Sequence, residues 1–80
     1  MKLYNAIRLG NAIEEYNKRF EEKMHLDFHE VVSLMLEPDE DIDIYIEEIE
    51  GRIKKKEQAD QLFLYNYITY QKYKEIVHSL

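Results

Sequence analysis

The sequence predicts an all-α protein, a small bundle of about four helices with long first and last helices and a short, buried second one. Three observations carry this expectation. Apolar residues recur at helical spacing along most of the chain. Only two glycines and one proline interrupt 80 residues. Hydrophobic residues at 45% with charged residues at 35% make a packed composition, not a disordered one. The length suits a single domain over 1–80. A chain of this size buries only about two-thirds of the surface it exposes when unfolded, so a homodimer is a natural way to gain core.

The first helix is expected over residues 3–24, where Ala6, Leu9, Ile13, Tyr16, Phe20 and Met24 form one stripe. Glu14 with Lys18 and Glu15 with Arg19 make favourable i,i+4 pairs on the polar side. Gly10 costs about 1 kcal/mol there relative to alanine, which a close helix contact would explain. The second helix has a full start signal: Asp27 as cap, Glu30 to close a capping box, and Leu26 to staple onto Val31. Pro38 ends it, since the residue before a proline avoids the α region. Phe28, Val31, Val32, Leu34, Met35 and Leu36 make this helix apolar nearly all round, which predicts the centre of the core.

Residues 38–56 fit two patterns. Ile42, Ile44 and Ile46 alternate as in a strand, while Ile42, Tyr45, Ile46, Ile49 and Ile53 fit a helix. Charge order favours the helix. Asp39, Glu40, Asp41 and Asp43 suit its N-terminus, and Arg52, Lys54, Lys55 and Lys56 suit a C-terminus beyond Gly51. The last helix is expected over 57–79, with a bend near Lys56–Asp60 separating it from the third and a long-helix dimer as the alternative. Ala59, Leu62, Tyr73, Ile76 and Val77 define its main face, with Phe63 and Tyr70 at the edge. Leu64, Tyr67 and Ile68 fall on the opposite side, where they are candidates for an oligomer interface.

Little in the chain points to catalysis. There is no cysteine, so thiolate chemistry and zinc-thiolate sites are excluded. Ser33, Thr69 and Ser79 have no base and acid arranged beside them, and no glycine-rich loop can cradle phosphate. No enzyme activity, cofactor or metal is expected. Asp39, Asp41, Asp43, Glu47 and Glu50 stand at positions 1, 3, 5, 9 and 12 of a twelve-residue window that resembles the calcium loop of EF-hand proteins. The resemblance implies carboxylate ligands at those positions. It stops at the sixth position, where the loop needs a glycine and this chain has the β-branched Ile44. His25 and His29 share the four-residue spacing of paired metal ligands, but Asp27 between them reads as a cap and divides them across a helix boundary.

Charge gives the functional expectation. Net charge is -6, and residues 37–50 carry eight acidic groups and no basic one. Direct nucleic-acid binding, which needs clustered Lys and Arg, is not expected. A protein partner with a basic surface is. Asp39, Asp41, Asp43 and Glu47 are the candidate contact residues, because they lie outside the Ile42, Ile46 and Ile49 stripe. The expected role is an acidic interaction module, an inhibitor or adaptor that imitates nucleic-acid phosphates on a nucleic-acid-handling host protein. Its Lys, Ile, Glu, Asn and Tyr richness suits an AT-rich genome such as that of a phage or mobile element. The rivals are a chaperone-like assembly subunit and a DNA-binding regulator. No stretch is apolar enough to span a membrane, and Met1 to Arg8 lacks the apolar run of a signal peptide, so a cytoplasmic location in a host cell is expected.

Overall fold

Helical periodicity becomes four α-helices: α1 (Leu3–Arg19), α2 (Phe28–Leu36), α3 (Asp39–Leu64) and α4 (Tyr70–His78). The computed structural model describes residues 1–80, of which 76% are helical and none lies in a strand. The ambiguous isoleucine run is helical and α3 passes through Gly51 as expected. Its acidic first turn fits the charge order, but the helix runs on to Leu64, so Arg52, Lys54, Lys55 and Lys56 lie within it and its last turn carries no basic residue. Contacts gather into two compact units, residues 1–50 and 51–80.

In the first unit, α1 packs with the start of α3. Ile42, Ile46 and Ile49 of α3 are buried, together with Leu9 and Ala12 of α1 and with Phe20 just beyond it. The buried side of α1 follows Asn5, Leu9 and Ala12; of the expected stripe Leu9 and Phe20 are buried, Ile13, Tyr16 and Met24 are half-buried, and Ala6 is exposed. Asn5 is buried because its Nδ2 donates to Asp39 Oδ1 at 3.2 Å, a polar partner that apolar periodicity cannot register. The Glu14–Lys18 and Glu15–Arg19 pairs form at 3.5 Å on the exposed side, where each contributes only a few tenths of a kcal/mol.

Two expectations in this unit are corrected. The first helix stops at Arg19, five residues early. Asn17 captures the following turn with its side-chain amide: Met24 N–H donates to its Oδ1 at 2.7 Å, and its Nδ2 donates to the Met24 carbonyl at 3.1 Å. Lys23 Nζ donates to the Phe20 carbonyl at 2.9 Å, and the Phe20 ring stacks on Tyr16 with centroids 4.1 Å apart. Side-chain bonds of this kind offer the backbone an alternative to another helical turn.

The second correction is larger. α2 begins as predicted, with Asp27 Oδ1 accepting from Glu30 N–H at 2.8 Å, yet it has no buried residue at all. It is not the centre of the core. Leu34 is half-buried, and the other eight residues of the helix are exposed. The buried residues of this unit lie instead on α1 and α3 and at Phe20.

In the second unit, α3 continues without a break through Lys56–Asp60, where the bend was expected. The Lys56–Asp60 pair, at 2.8 Å and four residues apart, lies along that unbroken turn. The helix ends at Leu64 instead. Asn66 takes the left-handed conformation (φ 63°), Tyr67 N–H donates to the Leu62 carbonyl at 2.9 Å and Asn66 N–H to the Phe63 carbonyl at 3.0 Å, the bonds of a Schellman turn. Thr69 then caps α4, its Oγ1 accepting from Lys72 N–H at 3.2 Å. The last helix is therefore short. Phe63 stacks on Tyr73 at 5.3 Å and meets Tyr70 at 5.7 Å, Ala59 is buried, and these contacts hold α4 against the end of α3.

Candidate partner-binding surface

The four carboxylates chosen from the sequence divide into two kinds. Asp39 is a structural group. Its Oδ1 accepts from Lys2 N–H at 3.1 Å as well as from Asn5. The Lys2 backbone bond foremost, with help from Asn5 and nearby positive charge, holds the Asp39 carboxyl below its ordinary value despite the opposing effect of desolvation. Asp43 is the second structural group. Arg8 reaches it with one guanidinium nitrogen at 3.0 Å and Glu50 with the other at 2.6 Å, clamping α1 to α3 across the rim of the core. The Glu50 hydrogen bond is the main reason the Arg8 pKa is raised; partial desolvation opposes it, and the charges of Glu50 and Asp43 add to it.

Asp41 and Glu47 are the exposed pair. They do not share one stripe. On a helix advancing about 100° per residue, Asp39, Asp43 and Glu47 follow one edge, while Asp41 lies about 120–160° away from each of them. Asp41 and Glu47 thus lie on two sides of α3 and, with the exposed Glu40 and Glu48, make a broad negative surface.

The proposed oligomer residues fare differently. Leu64 ends α3, and Tyr67 and Ile68 lie in the turn before α4, so the three share no helical face. Leu64 and Tyr67 are exposed and Ile68 is half-buried. The twelve residues of the calcium-like spacing, Asp39 to Glu50, are helical throughout and form no loop. His25 precedes α2 and His29 lies within it, both exposed. No group of three or more His, Asp or Glu side chains is placed to hold a metal ion.

One polar cluster escaped the sequence reading. Lys56 Nζ donates to Asp60 Oδ1 and to Tyr73 Oη, each at 2.8 Å, and Tyr73 donates to the same Asp60 oxygen. Burial, then the bond to Asp60, pushes the Tyr73 phenol up and keeps it protonated. For Lys56, burial acts against the charge, but the bonds to Asp60 and Tyr73 outweigh it and the pKa is raised. Through these bonds the trio makes a polar tie between α3 and α4. Lys56 and Asp60 are a visible i,i+4 pair; Tyr73 joins them only because the chain turns back after Leu64.

The surface that sequence reasoning missed is α2. Phe28, Val32, Met35 and Leu36 lie at i, i+4, i+7 and i+8, and all are exposed, Phe28 at 79% and Leu36 at 82%. Its neighbours in sequence are acidic, while in space the Met1 ammonium donates to the Met35 carbonyl at 3.1 Å. From Met24 to Gly51 the chain has ten Asp and Glu and no Lys or Arg. The signal was present in the full apolar girth of α2, which fits an interface as well as a core. No family model, curated protein or solved structure matches this chain. No helix is long and apolar enough to cross a membrane.

Proposed function

We propose that this protein is an acidic protein–protein interaction module that docks on a basic surface of a nucleic-acid-handling protein and acts by occupying it, as an inhibitor or adaptor of phage or mobile-element origin. The observation that carries the reading is the run Met24–Gly51, ten carboxylates without one Lys or Arg, in which Glu40, Asp41, Glu47 and Glu48 are exposed on one continuous helix. Carboxylates along a helix offer a basic cleft the charge that phosphates would offer, and attraction of this kind is long-ranged and weakened by salt. Binding, with no chemical step, is the activity proposed. The assembly-subunit reading is the rival. It requires further copies of a strongly acidic chain to approach each other, which like charge opposes.

The test is capture by the immobilised protein from nuclease-treated lysate of a candidate host. Captured partners should be nucleic-acid-binding proteins, released by DNA or RNA and by raised salt. Reversing Asp41 and Glu47 to lysine should weaken capture at least ten-fold while leaving the protein helical. Asp39 and Asp43 are left intact, since reversing them would break the ties to Lys2, Asn5 and Arg8. Full capture by the reversed variant, or partners with acidic surfaces, would overturn the reading.

A further inference from the structure

We infer that the exposed face of α2 is the docking site for a basic amphipathic helix of the partner. The inference rests on the proposal of a basic partner and adds where and in what form that partner is held.

Three observations lead to it. Phe28, Val32, Met35 and Leu36 form a helical seam of apolar side chains, the pattern by which helices pack against helices. Their combined exposed surface is on the order of 500 Å², the size of a functional patch on a typical small protein but below the roughly 800 Å² per partner that a standard interface buries. An area of that size suits one amphipathic helix better than a second globular copy.

Charge then selects among occupants. Asp27 and Glu37 stand exposed at the two ends of α2, and Glu40 and Asp41 follow just beyond Asp39, so exposed carboxylates outnumber the one ammonium, that of Met1, held on the Met35 carbonyl. A second copy laid face to face would set these carboxylates against their own kind. A helix with a Leu-rich face and flanking Lys or Arg would cover the seam and neutralise its rim. Nine residues make α2 about 14 Å long, so two to three turns of the partner are enough to cover it.

The experiment uses the whole protein and an 18-residue amphipathic peptide of Leu and Lys, with a scrambled peptide of the same composition as control, titrated by calorimetry. The amphipathic peptide should bind at least ten-fold more tightly than the scrambled one. Phe28→Glu with Leu36→Glu should remove that preference, even though two added carboxylates would strengthen a purely electrostatic attraction. Both positions are largely solvent-exposed, so the double variant should keep its helical circular dichroism. Equal binding of the two peptides, or a double variant that binds as tightly as the wild type, would overturn the inference. So would a wild-type dimer that the double variant converts to monomer, which would assign the face to a second copy. The two proposals fail separately. Loss of lysate capture in the Asp41→Lys, Glu47→Lys protein but not in the Phe28→Glu, Leu36→Glu protein would sink the α2 site and leave the basic partner standing. A peptide preference intact alongside partners that bind no nucleic acid would do the reverse.

Discussion

Gly10 is a place where the structure turns a sequence puzzle into a measurable gain. A glycine inside a helix costs roughly 0.5–1 kcal/mol relative to alanine unless its missing Cβ lets something approach. Nothing does: a Cβ built at Gly10 meets no atom within 4 Å. The close helix contact that the sequence suggested is absent from the folded chain. Gly10→Ala should therefore stabilise by up to about 1 kcal/mol, largely by restricting the unfolded chain. With about 2.1 cal/mol/K of unfolding entropy per residue, 1 kcal/mol corresponds to a Tm rise of about 6 °C for a chain of 80 residues. Gly51 has the same open surroundings within α3, so Gly51→Ala makes an internal control. Thermal melts followed by circular dichroism at two protein concentrations a hundred-fold apart would measure both. A rise for Gly51→Ala with an unchanged or lowered Tm for Gly10→Ala would refute the reasoning at Gly10. Since Leu3, Ile7 and Gly10 share one exposed face at i, i+4 and i+7, that result would reveal a second molecule packed against α1, and the loss should then deepen at the higher concentration.

Two further outcomes test the core and the α1–α3 tie. Ile46 is 0% exposed, so Ile46→Ala should cost about 2–5 kcal/mol, a large share of the roughly 4–12 kcal/mol that holds a domain of this length, whereas Ile44→Ala two residues away should stay within about 0.5 kcal/mol by urea denaturation. The Asp39 carboxyl is depressed in the fold below its ordinary 3.8, so its contribution is fully present above that value and is lost as the pH falls through the folded pKa. Denaturant midpoints of Asp39→Asn should therefore lie below wild type at neutral pH and converge with it as the pH drops below about 4; a constant gap across that range would remove Asp39 as the acid-sensitive tie.

The helical state of the chain and the starts of α2 and α3 were legible in the residues because the interactions involved are short-range. Asp27 accepts from an N–H three residues on, and the acidic first turn of α3 acts on its own helix start, so each works wherever the rest of the chain lies. That is why the Ile42, Ile44 and Ile46 alternation could be assigned to a helix. Helix ends made by side chains that reach further were less visible. Asn17 meets Met24, seven residues on, only once the chain has folded back. The end of α3 is a local turn of backbone bonds to Leu62 and Phe63 with Asn66 in the left-handed region, and it went unread because residues 57–79 hold no glycine or proline to mark it.

The candidate site shows the same division. Composition alone determines that the stretch from Met24 to Gly51 is acidic and that α2 is apolar on most of its sides. Which carboxylates are engaged was decided by tertiary structure, since Arg8, Lys2 and Asn5 come from more than thirty residues away to hold Asp43 and Asp39 and leave Asp41 and Glu47 exposed. The position of α2 was decided there too. An apolar helix carries the same signature whether its cover is the chain's own core or another protein's helix. Only the folded structure, which buries Leu9, Ala12, Ile42, Ile46 and Ile49 and leaves eight of the nine α2 residues exposed, separates the two, because burial is a property of the packed neighbours and not of the residue that seeks them.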